Sequence, residues 1–149
     1  MAIEQSLPTS VHVDATYHRI ASVQIDWIGR NATVIVVGTA NQAAREAGAG
    51  SLLNQEIVLS RDEFPFTDDM LAKTAAAFLI PDTHAILNEQ VTYDTDVAHV
   101  RIAYDKVVLG IRQNSDEQYS VPKASMPTDY LAILYPIVTA KLFIAPVQV

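Results

Sequence analysis

The chain has 149 residues, half of them hydrophobic and only 18% charged, with a net charge of −7 and no cysteine. That length suits one domain, residues 1–149, able to bury a core without covalent staples. The charged share lies below the usual value of about 25%, so the chain carries more apolar surface than a lone domain needs and oligomeric contacts are expected. The acidic balance, with no Lys/Arg cluster to offset it, opposes a phosphate backbone and argues against nucleic-acid binding. The lack of cysteine removes disulfides, thiolate zinc sites and thiol nucleophiles together.

Residues 1–15 carry Pro8, Thr9 and Ser10 without sustained periodicity and read as an extended arm able to dock on a neighbour. No basic stretch followed by an apolar run opens the chain, so a secretory signal is not expected and retention in a cytoplasm is. Residues 16–40 give the clearest signal, two strands folded back at Ile28-Gly29-Arg30-Asn31. Tyr17, Ala21, Val23, Ile25 and Trp27 alternate with His18, Ser22, Gln24 and Asp26, the period of a half-buried strand, with Ile20 and Ile28 interrupting the polar face. In the second strand Val34, Ile35, Val36 and Val37 are apolar on both faces, as a central strand is. Gly29 and Asn31 tolerate the positive φ of a tight turn.

Residues 41–51 form a connection, in which Asn41 caps one helical turn before Gly48 and Gly50 end it. Residues 52–60 alternate roughly and predict a third strand, closed by Arg61-Asp62-Glu63. A helix follows: Thr67 is its N-cap, Asp68 and Asp69 favour its first turn, and Pro81 marks its exit. Its apolar face is Met70, Leu71, Thr74, Ala75, Phe78 and Leu79, which should lie on the sheet. Residues 82–90 read as a loop or short helical turn. Residues 97–104 and 107–112 flank Asp105-Lys106 as a second hairpin, and residues 113–120 read as a polar loop.

The last 20 residues, 130–149, are strongly apolar, yet Pro136, Lys141 and Pro146 interrupt the length a membrane helix needs, so no span is expected. Thr128-Asp129 caps a short helix ending before Pro136, and residues 137–144 add a terminal strand. The apolar run of Ile137, Val138, Leu142, Phe143, Ile144 and Val147 at a chain end reads as an assembly interface. The class that results is mainly β, an antiparallel sandwich or barrel with one packed α-helix and short helical turns.

Chemistry is harder to find. His12, His18, His84 and His99 include no pair at the helical metal spacing, and His12 with Asp14 lacks the third ligand that coordination requires. His18 reads as a polar-face strand residue. Asp94 and Asp96 could share a cation with Asp105, but calcium needs six or more oxygens and no calcium loop is present, so a solvated turn accounts for them better. Asp62, Glu63, Asp68 and Asp69 are the densest acidic group, and helix capping with a solvated loop already explains them. No nucleophile elbow or phosphate loop occurs, and Gly48 to Ser51 lacks the lysine of the latter, so neither a catalytic residue nor a cofactor is expected. Trp27, Tyr17 and Tyr93 could stack on a sugar ring, making a glycan-binding module the alternative; the phase of Trp27 with Val23 and Ile25 favours the core instead.

The succession TYHRIASVQIDW, NATVIVVGTANQAAREAGAG, a strand and EFPFTDDMLAKTAAAFL resembles small structural proteins of tailed bacteriophages from the tail or baseplate region. The resemblance covers about residues 16–78, through an opening Tyr-His-Arg-Ile, a QAAREAGA-like loop and a Phe-Thr helix start; residues 82–149 fall outside it. It implies a virion component made in the host cytoplasm. Such a subunit repeats around a symmetry axis, contacts itself and other virion proteins, and works by assembly contacts without being an enzyme, in the tail or baseplate or alternatively as a neck or capsid accessory.

Overall fold

The computed structural model of the chain describes residues 3–7, 15–39, 43, 53–81, 84–94 and 96–144. In order they form β1 (Ile3–Leu7), β2 (Ala15–Asp26), β3 (Asn31–Thr39), β4 (Leu53–Leu59), a 3-10 turn (Arg61–Glu63), α1 (Asp68–Ala77), β5 (Ala85–Tyr93), β6 (Val97–Val108), β7 (Ile111–Pro122), a second 3-10 turn (Lys123–Ser125) and α2 (Tyr130–Ile144). The strands belong to one hydrogen-bonded sheet in the order β4-β3-β2-β5-β6-β7, with β1 also paired to β2. Every described register is antiparallel. The mainly β class therefore holds. Backbone contacts divide the chain into two compact units, one of Met1–Ala21, Val34–Ile57 and Tyr130–Val149, the other of Ser22–Thr33 and Val58–Asp129.

In the first unit β1 lies against β2 with Ile3 opposite His18, so part of the expected arm is a strand of the chain's own sheet. Val34, Val36, Val37 and Thr39 of β3 are buried, as the doubly apolar pattern predicts for a strand flanked by β2 and β4. The expected short helix and terminal strand around Pro136 are corrected: α2 runs through Pro136 to Ile144. Tyr130, Leu134, Tyr135 and Val138 are buried at helical spacing, whereas Ala132, Pro136 and Ala140 make the exposed stripe. Burial of Tyr130, Leu134, Tyr135 and Val138 outweighs a break that costs about 3 kcal/mol in an isolated helix. The Tyr135 hydroxyl accepts the Ile20 N–H at 3.0 Å, fastening helix to strand. His18 is 1% exposed, which corrects its polar-face assignment. Along β2 the buried positions are His18 and Ile20, then Val23 and Ile25, a phase that Trp27 continues just past the strand. The alternation changes phase at Ala21-Ser22, where a strict period-2 reading cannot follow it.

In the second unit residues 22–26 of β2 pair with 88–92 of β5. The turn after β2 is held by Asp26, whose Oδ1 accepts the N–H groups of Ile28 and Gly29 at 3.1 and 2.9 Å. Positive φ falls on Arg30, at 55°, and not on Gly29 or Asn31. A Cβ on Gly29 would meet Asp26 Oδ2 at 2.6 Å, so a side chain there would displace the carboxylate that holds the turn. Trp27, Phe64 and Phe66 form an aromatic cluster with centroids 5.3 to 6.1 Å apart. After β4, the Ser60 N–H and hydroxyl both donate to Glu63 Oε1, closing the 3-10 turn. Thr67 Oγ1 accepts the Met70 N–H at 3.3 Å, the N-cap expected of α1. Met70, Leu71, Thr74, Ala75 and Phe78 turn inward as predicted, but Leu79 does not: it is 87% exposed with φ of 57°. It occupies the left-handed position after the helix, and the Ile80 N–H returns to the Ala75 carbonyl at 2.8 Å.

Two expectations in this unit are corrected. Residues 85–93 are a strand, β5, paired to β2 and to β6, and a bulge between Ile86 and Asn88 breaks the alternation that would have announced it. The second hairpin turns at Leu109-Gly110, and not at Asp105-Lys106, so the expected polar loop 113–120 lies inside β7. Leu109 and Gly110 have φ of 53° and 79°, both positive, as the tight turn that joins strands across two residues requires.

Candidate assembly surface

The β6–β7 hairpin pairs without interruption from Val97 opposite Pro122 to Val108 opposite Ile111. Its first half belongs to the core, where Ala98, Val100 and Ile102 are at most 1% exposed. Beyond Ile102 no residue of either strand is buried, and β7 has none along its whole length. The ladder, not a hydrophobic pattern, therefore holds β7 in place. β7 ends the strand order, so one of its edges is unpaired among the described strands.

The distal end is apolar. Val107, Val108, Leu109 and Ile111 are all exposed, Leu109 at 96%. Leu109 also holds the left-handed conformation, which a side chain with a Cβ enters at a cost of about 1–2 kcal/mol. A bulky apolar residue that is both strained and bare has no folding rationale within the chain. Lys106 and Arg112 flank this tip, and Arg112 Nε donates to Asp105 Oδ2 at 2.9 Å. At the base of the hairpin Phe78 stacks on Tyr119 with centroids 4.5 Å apart, and the Tyr119 hydroxyl donates to the Phe78 carbonyl at 3.4 Å. Burial, then the nearby Glu117 and Tyr104, raise the Tyr119 pKa. Exposed Leu79 is the next residue along.

The other face of the hairpin is polar. Arg101 grips Asp116 through Nε and Nη2 at 2.6 to 3.0 Å. That hydrogen bond lowers the Asp116 pKa and raises that of Arg101. His99 Nδ1 lies 2.9 Å from Ser120 Oγ. Arg101, His99 and Ser120 line, with Gln90, Thr92 and Gln118, an open depression of hydrogen-bonding groups.

Trp27 and Tyr93 are each 5% exposed, so neither offers a face to a sugar; the core reading of Trp27 holds. Its indole N–H donates to Glu89 Oε1 at 3.3 Å. Glu89, a fully buried carboxylate, was not anticipated, since the bulge in β5 hides its inward phase. Asp96 precedes β6 and Asp105 lies near its far end, so the aspartates are not brought together. Among the described residues no three His, Asp or Glu side chains converge. His12, Asp14 and Val147, with the connection at 41–51 apart from Ala43, lie outside the described residues. Of the C-terminal run, Val138 is completely buried within the chain and Ile137 half-buried; Leu142, Phe143 and Ile144 belong to α2, their side chains undescribed. Among the described residues no helix is long and apolar enough to cross a membrane. The apolar hairpin tip was missed. Its signal was the run Val107 to Ile111 around Gly110, with charges only at its margins.

No family model, no curated protein and no solved structure matches the chain.

Proposed function

We propose that the chain is a structural subunit that acts through assembly contacts, in the tail or baseplate of a tailed-phage virion. The observation that carries the assembly reading is the β6–β7 hairpin, whose free edge and bare, strained apolar tip cost solubility and stability in an isolated chain. The excess apolar composition supports it, and the resemblance over residues 16–78 supplies the virion setting. Its partners are further copies of itself and neighbouring virion proteins, reached by strand edges and buried side chains and without a chemical step.

The test is recovery of the protein in purified particles. Quantitative mass spectrometry is expected to find several copies per particle, and immunogold labelling to place them at the tail or baseplate. Labelling at the neck or capsid would move the subunit within the virion. Absence from washed particles, with the protein left in the host lysate, would sink the reading.

A further inference from the structure

The free edge of β7 has a self-complementary order of charges. A two-residue loop leaves its flanking residues, Val108 and Ile111, as a hydrogen-bonded pair. Odd-numbered residues of β7 then bond to β6, and Arg112, Asn114, Asp116, Gln118 and Ser120 direct their backbone groups outward. A second β7 laid antiparallel on that edge must match even positions with even positions. The charges of β7 are Arg112, Asp116 and Glu117. Among the permitted registers, one places Arg112 opposite Asp116 of the other copy, twice, with Asn114 on the two-fold axis. Registers displaced from it leave Arg112 facing an uncharged residue or set like charges against each other, for example Asp116 against Asp116.

We infer that β7 pairs with β7 of a second copy about a two-fold axis at Asn114. The same register accounts for the two exposed apolar features. It brings the tip of each hairpin level with Tyr119 of the other copy, since Leu109 and Tyr119 lie equally far on either side of Asn114. Ile111 and Tyr119 share one face of β7, being both odd-numbered, and Phe78 stacks on Tyr119. Leu109 and Ile111, 96% and 64% exposed, thus reach the Phe78, Leu79 and Tyr119 surface, in which Leu79 is 87% exposed. On the polar face Arg112 and Asp116 keep their own partners, Asp105 and Arg101, and join them into one network across the axis. A two-fold interface requires that whatever one copy offers the other accepts. The strand carries that property in its charges and the hairpin in its two apolar ends.

The inference names a partner for the assembly reading and rests on it, but its test is separate. Light scattering of the full chain is expected to give twice 16.3 kDa. Arg112→Glu, at a site 78% exposed, sets like charges opposite one another twice and is expected to weaken the dimer by roughly tenfold or more. The lack of native cysteine permits a nitroxide at a single introduced site. Labels at Asn114→Cys are expected at the shortest measurable separation, and at Gln118→Cys about 27 Å apart along the strands. A monomer at the highest soluble concentration, a dimer indifferent to Arg112→Glu, or Asn114 labels far apart would each overturn it. A dimer with these distances that is missing from particles upholds the interface and removes the virion reading; a monomer found in particles does the reverse.

Discussion

Leu109→Asn separates stability from association. The wild-type residue has φ of 53° and is 96% exposed, so replacing it forfeits almost no packing within the chain. Asparagine enters the left-handed region more readily because its short polar side chain bonds locally, and Asn-Gly is the favoured pair for this turn. Relief of about 1–2 kcal/mol of strain, less the unequal relief any single turn allows, leaves a gain of about 1 kcal/mol. In a chain of this length that raises the midpoint of thermal unfolding by roughly 2–4 °C. Melts followed by circular dichroism at low protein concentration would show it, with an unchanged urea m-value as evidence that the unfolded state is untouched. At high concentration the order should reverse, because the wild type gains stability from association and the variant does not. A variant that melts lower than wild type at every concentration would refute the strained-turn argument. One that melts higher at every concentration would refute the use of the tip in association.

Three further outcomes are expected. Trp27→Phe removes a hydrogen bond to the buried Glu89 carboxylate and indole volume from the aromatic cluster, and should cost about 3 kcal/mol by urea titration; a loss near zero would show that the cluster repacks freely. Phe78→Asp replaces a half-buried ring stacked on Tyr119 with a charge and should cost about 2–3 kcal/mol or prevent soluble expression, so near-normal stability would mean that the stack is dispensable. The Asp116 carboxyl, held down by the Arg101 hydrogen bond, should titrate by NMR below the usual carboxylate range and return to it in Arg101→Gln. A group lowered on folding adds stability above its unfolded pKa and loses it as pH falls through the lower folded one, so the effect is confined to acid below about pH 4. An ordinary titration of Asp116 would contradict the pairing.

The elements legible in the sequence are those whose local chemistry agrees with their burial. Thr67 with Asp68 and Asp69 announces α1, and the β-branched run at Val34 to Val37 announces a central strand. Elements set by pairing or by distant packing were not legible. β7 has polar residues on both faces and takes its conformation from the ladder to β6. β5 carries a buried glutamate and a bulge, so its inward positions follow no fixed period. In α2 the proline predicted a stop that the buried stripe of Tyr130, Leu134, Tyr135 and Val138 overrides. The candidate surface was half visible: excess apolar composition pointed to association but also to the C-terminal run, and only the turn geometry at Leu109-Gly110 shows that the hairpin end is bare.

Truncation after Pro136 is expected to act on the fold more than on assembly. It would leave seven residues of α2, too few to sustain a helix in water without packing. It also deletes Val138, which is fully buried and contributes about 1.5–3 kcal/mol by burial. Tyr135 would then sit at a frayed end, and its hydroxyl would no longer be held against the Ile20 N–H. The sum is a large share of the 5–15 kcal/mol that keeps a domain folded. The chain cut after Pro136 is therefore expected to lose cooperative unfolding of the first unit, measured by calorimetry and by exchange of the β2 and β3 amides, whereas a chain cut after Ile144 keeps all of α2 and should retain it. Slow exchange of those amides in the shorter chain, with a melting transition as sharp as wild type, would show that α2 beyond Pro136 is not needed to hold the strands, and would return the C-terminal segment to a role outside the core.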